Sequence, residues 1–163
     1  MKKKSLRLGF VLIVLFILGS NSYAQKIKAD GKFGLSFLSG GGSSSTGVLF
    51  GGALDIPLNQ GFYVRPELNI TSNNDTPIEM AGEIKYLIPS PNLSPTLYLD
   101  GGLGIWFFTG GPYFGLDFGG GAIFPITGSN LEIPAEIRLG PIFASGSTVF
   151  QVALTSGIRF SLP

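Results

Sequence analysis

Between Phe62 and Thr71 the chain reads FYVRPELNIT, with Phe62, Val64, Pro66, Leu68 and Ile70 in one phase and Tyr63, Arg65, Glu67, Asn69 and Thr71 in the other. Neighbouring side chains on a β-strand point to opposite faces, so this segment is a ribbon with one apolar and one polar face. The same period recurs along the chain in short runs separated by turn residues, which is the β pattern, and eight such runs are present. After the N-terminal segment, no apolar run approaches the length of a membrane-spanning helix, and none has a clear helical period.

Run one is Gly31 to Leu38, where Phe33, Leu35 and Phe37 oppose Gly34 and Ser36. Run two, Gly47 to Ile56, sets Val48, Phe50, Leu54 and Ile56 against Gly47, Gly51, Ala53 and Asp55. The opening stretch is run three. Run four, Pro77 to Ile88, alternates Ile78, Met80, Ile84 and Tyr86 with Glu79, Ala81, Glu83 and Lys85. Run five, Thr96 to Phe108, opposes Leu97, Leu99, Leu103, Ile105 and Phe107 to Tyr98, Asp100, Gly102, Gly104 and Trp106. In run six, Tyr113 to Phe124, Phe114, Leu116 and Phe118 oppose Gly115, Asp117 and Gly119. Run seven, Leu131 to Phe143, opposes Leu131, Ile133, Ile137 and Leu139 to Glu132, Glu136, Arg138 and Gly140. Run eight sets Phe150, Val152, Leu154, Ile158 and Phe160 against Gln151, Thr155, Gly157 and Arg159. Pro66 and Pro134 fall inside runs, where a missing N–H should interrupt the ladder, so a bulge or strand end is expected at each.

Pro57 to Gly61 reads as a tight turn, Pro89, Pro91 and Pro95 fill another, and Pro125 to Asn130 a third. With both termini at one end, the connections at the other are Ser39 to Thr46, expected to be a flexible loop, then Ser72 to Thr76, Thr109 to Pro112 and Ala144 to Ser147. All are short, which disfavours a receptor or adhesin with grasping loops. The expected fold is all-β: a single closed antiparallel up-and-down barrel of about eight strands.

Alternation alone fits two opposite barrels. A soluble lipocalin-like barrel turns its apolar face inward, and a transmembrane barrel turns it out to lipid. The glycines favour the second. Gly34, Gly47, Gly51, Gly102, Gly104, Gly115, Gly119, Gly121, Gly140 and Gly157 share the polar face, against Gly52, Gly82, Gly101 and Gly120 on the apolar one. A narrow eight-stranded interior needs small residues, whereas a water-facing surface would carry Lys and Glu. The charged residues within the runs, apart from those at the very start, also lie in the polar phase. A Lys or Arg facing lipid at mid-depth would cost about 2–4 kcal/mol.

Composition agrees with a surface covered by something other than water: 13% charged residues, 25 glycines and a mean hydropathy of +0.38 in 163 residues. There is no Cys and no His. That excludes disulfides, thiolate or imidazole zinc sites, a Cys-borne lipid anchor and a Ser-His-Asp triad. Met1 to Arg7 is basic, Leu8 to Leu18 is almost wholly apolar, and Ser22-Tyr23-Ala24 places small residues before Gln25. These are the three parts of a secretory signal peptide, with an apolar run too short for a spanning anchor. The expected division is residues 1–24 as signal peptide and 25–163 as barrel. Removal of Lys2, Lys3, Lys4 and Arg7 leaves seven basic and ten acidic residues, a net charge of about −3 that suggests no nucleic-acid partner.

The signal peptide, the eight runs and the closing segment GIRFSLP, with Phe160 near its end, resemble the small eight-stranded outer-membrane β-barrel family, the OmpA/OmpX-like porin-fold group. The resemblance covers Gly31 to Pro163, although Leu162-Pro163 follows the terminal aromatic residue. It implies location in the bacterial outer membrane, contact with its lipid, and delivery by the outer-membrane assembly machinery. The family is defined by architecture, so no catalytic residues or cofactor are implied, and a monomer is expected.

The polar phase carries the candidate chemistry. Pro66-Glu67-Leu68-Asn69, Gly82-Glu83-Ile84-Lys85 and Ala135-Glu136-Ile137-Arg138 each place a Glu and then a polar or basic residue inward. Arg65, Asp100, Asp117, Glu132 and Arg159 share that face. Symmetric closure of the neighbouring turns sets Arg65 opposite Glu83 and Glu132 opposite Arg159, and cross-strand opposite charges stabilise each other. The favoured reading is a salt-bridge network that plugs the lumen, because buried charges must be paired. An ion or proton path lined by carboxylates is the alternative. Catalysis by paired carboxylates is disfavoured, since no His or elbow serine assists them. Aromatics near run ends, Phe62, Tyr86, Phe107 and Phe143 among them, fit either interfacial girdles or single lipid-facing rings.

Overall fold

The computed structural model describes residues 26–73, 76–89, 94–144 and 146–163. The segment read as a signal peptide lies outside the described residues, as do parts of the turns at 72–76, 89–95 and 144–147.

Eight strands follow one another: β1 (Lys28–Gly40), β2 (Ser43–Asn59), β3 (Phe62–Ser72), β4 (Ile78–Leu87), β5 (Thr96–Phe108), β6 (Gly111–Pro125), β7 (Leu131–Ala144) and β8 (Ser147–Ser161). Each pairs antiparallel with the next, and β1 pairs with β8 from Lys28↔Ser161 to Gly40↔Val149, which closes the sheet into a barrel. Closure leaves no sheet edge with unpaired N–H and C=O groups.

The alternating runs and the strands coincide closely at β3 and β5. They part at the first hairpin. The expected flexible loop at 39–46 is instead strand on both sides of a two-residue turn, with Gly40 paired to Ser43 and Gly41 and Gly42 at φ +61° and +82°. Consecutive positive φ values fit the twist of a two-residue hairpin, and glycine adopts them without strain. The Ser/Thr stretch beyond it therefore extends the ladder rather than leaving it. At the third hairpin Phe108 likewise pairs with Gly111 across Thr109-Gly110.

The prolines also behave differently from expectation. Pro66 pairs in register with Gly82 of β4, and Pro134 with Ile123 of β6, in mid-strand and without a bulge. Their effect is one-sided. On the β2 side, pairing lapses between Ala53↔Glu67 and Ile56↔Val64; on the β8 side it lapses between Glu132↔Arg159 and Ala135↔Ser156. The register is unchanged across both gaps. An internal strand sends each N–H to only one neighbour, so a proline deletes a bond on one side and leaves the other ladder intact. Ser156 Oγ donates to the Pro134 carbonyl at 3.0 Å within the second gap. The register shift in the β2–β3 ladder lies instead between Pro57 and Asn59.

Side chains are sorted inside out relative to a water-soluble barrel. Leu103 is 67% exposed and Phe114 65%, while Arg65 is 1% and Lys85 0%. All charged side chains on the eight strands point into the lumen or its end, and the outer wall is an apolar band. This includes Asp30 and Lys32 at the start of β1. Run one as expected begins at Gly31, with Lys32 at its very start and Asp30 outside it, but the strand starts at Lys28 and both share the phase of Gly34. Close strand contacts explain the inward glycines: a Cβ on Gly34 or Gly140 would fall inside the carbonyl oxygen of Leu154 or Leu116.

Candidate functional site in the barrel lumen

Two inward strand faces organise the lumen. On β3, Arg65 precedes Glu67; on β7, Glu136 precedes Arg138. Odd-numbered strands of an up-and-down barrel run in the same direction, so the reversed order sets opposite charges at matching heights. β3 and β7 are four strands apart in the eight-strand ring and face each other across the barrel. Arg65 Nη2 lies 3.3 Å from Glu136 Oε2, and Arg138 Nη2 pairs with Glu67 Oε1. These two contacts cross the full width of the lumen.

The remaining charges gather around them in tiers. Nearest the termini, Lys28 Nζ donates to both oxygens of Glu132 at 2.7 and 2.9 Å, and Arg159 Nε lies 3.4 Å from Glu132 Oε2. Arg159 Nη2 also meets Asp55 Oδ2 at 2.5 Å. In the middle tier Arg65 Nη1 reaches Asp30 at 3.1 Å and Asp55 at 3.2 Å, while its Nε lies 3.2 Å from Glu67 and 3.6 Å from Glu83. Lys85 Nζ lies 3.1 Å from Asp55 and 3.9 Å from the centre of the Tyr98 ring. Above them Arg138 meets Glu79 at 2.8 Å, Glu136 at 3.1 Å and Glu83 at 3.5 Å. Lys32 meets Glu67 at 2.5 Å and Glu136 at 3.2 Å. Asn69 Nδ2 donates to Glu67 and Glu79 at 2.6 and 3.1 Å, and Tyr98 OH donates to Glu136 at 2.8 Å.

The ten positions singled out in the sequence are Arg65, Glu67, Glu83, Lys85, Asp100, Asp117, Glu132, Glu136, Arg138 and Arg159. All face this interior, and all but Glu132 are buried. Arg65 is the register partner of Glu83, and Glu132 of Arg159. Eight of the ten join the ion-paired cluster. Asp100 and Asp117 do not: among the described residues neither carboxylate has a hydrogen bond or an ion pair. Sequence reasoning left out Asp30, Lys32, Asp55, Glu79 and Tyr98. Asp55, Glu79 and Tyr98 already stood in the polar phase, as did Lys32 in run one, and starting that run at Lys28 would have added Asp30.

Beyond the ionic tiers the lumen changes character. Trp106 Nε1 donates to Gln151 Oε1 at 3.0 Å, and Gln151 Nε2 donates to Ser36 Oγ at 3.1 Å. Trp106 then packs with Leu38 and Ile142 into a buried apolar layer across the barrel. Among the described residues no group of three or more carboxylates converges as a metal site.

No family model matches the chain, and neither does any curated protein sequence. Solved structures do. Neisserial surface protein A superposes with a TM-score of 0.71 at 14% identity, over 83% of this chain and 97% of that one. The chain has the fold of the small outer-membrane β-barrels. The N-terminal barrel domain of Pseudomonas aeruginosa OprF shares it, with a TM-score of 0.60 at 14% identity over 83% of this chain and 98% of the domain. At such identity the likeness is one of architecture. What the chain shares with these small outer-membrane barrels is the closed-barrel architecture.

Proposed function

We propose that the protein is an integral barrel of the bacterial outer membrane whose lumen is sealed by its own ion-pair network, with a structural rather than a transport or catalytic role. The observation that carries this reading is the double bridge between β3 and β7, Arg65–Glu136 and Glu67–Arg138, which spans the route a solute would take. The apolar band fits hydrocarbon, closure fits the absence of water there, and a ring with no free edge fits a monomer. The outer-membrane assembly machinery would insert such a chain, with both termini on the periplasmic side.

A narrow cation path is the second reading, favoured by one observation: Asp100 and Asp117 are buried, acidic and unpaired among the described residues. One set of experiments separates the two. The protein should fractionate with outer membranes, resist extraction by alkaline wash, and change gel mobility on boiling. In planar bilayers it should show no conductance above background. A cation-selective conductance abolished by Asp100→Asn with Asp117→Asn would establish the path instead. Recovery in the soluble periplasmic fraction would overturn both.

A further inference from the structure

The lumen holds a second compartment that the ionic network does not use. Past the layer of Leu38, Trp106 and Ile142, at the end away from the termini, a cavity of about 460 Å³ opens. Leu38 and Ile142 form its floor, and Phe108, Tyr113 and Val149 pack against that floor as walls. Its rim is polar and uncharged, formed by Ser43, Ser44, Ser45, Asn73 and Thr109. No charged side chain lines it among the described residues.

An apolar cup in this place is unexpected on the logic of the rest of the molecule. It faces neither lipid nor a protein core, and the ionic tiers that fill the lumen elsewhere stop below Trp106. Cavities of about 300–1,000 Å³, largely apolar with a few polar groups at the edge, are the usual form of small-molecule sites. The apolar floor rewards burial of hydrocarbon, at about 25 cal/mol per Å². The hydroxyls and the Asn73 carboxamide can donate to or accept from an uncharged head group, and they offer no counter-charge to an ionic one. The narrow interior of an eight-stranded ring suits an unbranched chain better than a bulky ring system.

We infer that this cup binds the alkyl chain of a single-chain, uncharged amphiphile, with the chain end on Leu38 and Ile142 and the head at the serine rim. The site is independent of whether the lumen conducts.

Trp106 makes the test direct, because it is the only tryptophan in the protein and lies immediately beneath the floor. The membrane-inserted protein in phosphatidylcholine vesicles is titrated with a terminally brominated octanol while Trp106 emission is followed. In parallel it is placed in vesicles of acyl-brominated phosphatidylcholine. Saturable quenching by the alcohol is expected, with little quenching by the brominated lipid, since Trp106 faces the lumen. Val149→Phe fills the cup from the wall and Ala144→Phe from the rim; each should weaken the half-saturation by about tenfold or more. Boiled and unboiled gel mobility shows which variants have folded, and one folded variant suffices. Quenching that rises in proportion to the probe and is the same in a folded filling variant would mean simple partition into the bilayer and would overturn the inference. So would the absence of quenching by the alcohol.

Discussion

Four buried carboxylates divide into two pairs with opposite surroundings. Glu67 and Glu136, on β3 and β7, are 6% and 7% exposed; Asp100 and Asp117, on β5 and β6, are 8% and 1%. Burial is therefore the same in both. Glu67 is met by Lys32, Arg65, Arg138 and Asn69, and Glu136 by Lys32, Arg65, Arg138 and Tyr98. The two aspartates meet no donor among the described residues. Their strands explain why: the inward faces of β5 and β6 carry Gly102, Gly104, Gly115 and Gly119 and no base. Eight acidic and five basic residues are buried, and the bases stand on β1, β3, β4, β7 and β8, none on β5 or β6. Depth in the barrel thus says little about whether a charge supports the fold. What distinguishes the two pairs is the number of donors that reach them, because desolvation is offset only by partners.

Substitutions should separate the pairs by sign as well as size. The largest effect is expected at Arg138→Met, which leaves Glu67, Glu79 and Glu136 short of a common partner. Breaking such a buried cluster from one side costs about 3–5 kcal/mol, read as a lower urea midpoint in vesicles. Glu67→Gln keeps the shape and removes the charge shared by three cations; a loss of about 1–3 kcal/mol is expected in the same assay. Asp117→Asn should run the other way. Replacing an unpaired buried carboxyl group should leave stability unchanged or raise it by about 1 kcal/mol, and a loss as large as that of Glu67→Gln would erase the contrast between the pairs. The smallest change is expected at Lys28→Met, because the Lys28–Glu132 pair is partly exposed at the barrel end, with side-chain exposures of 28% and 24%. It should cost less than about 1 kcal/mol, and raising the salt concentration should shrink the difference from the unmodified protein.

Much of the architecture was legible because a barrel strand with one apolar and one polar face repeats one simple rule, alternation, whose phase can be followed from residue to residue. Strand β5 could be bounded at both ends from that rule alone, since Thr96 and Phe108 sit where turn residues begin. At the first hairpin the rule was overridden by composition. The Ser/Gly stretch reads as loop, yet Gly41-Gly42 is short enough to be the whole turn, and serines continue a ladder beyond the apolar band at no cost. Nearest-neighbour pairs such as Arg65 and Glu83 were accessible by counting back from a turn. Contacts across the lumen were not. Arg65–Glu136 depends on which strands oppose each other in the closed ring and on their relative height, and neither is encoded in local spacing. The lone Trp106 stood in the inward phase, but nothing in its neighbours indicated that it would meet Leu38 and Ile142 from other strands.

The β3–β7 bridges also bear on the time course of assembly. Arg65 and Glu136 are 71 residues apart in the chain, as are Glu67 and Arg138, and Lys32 and Glu136 are 104 apart. A flat sheet cannot make these contacts, because the two walls meet only when the sheet has curled. The cluster is thus a latch that engages only after the sheet has curled. Interactions absent from a transition state change the rate of leaving the native state and not the rate of reaching it. Weakening the latch should leave the insertion rate nearly untouched and shorten the lifetime of the closed ring, so that network variants are made normally and lost faster.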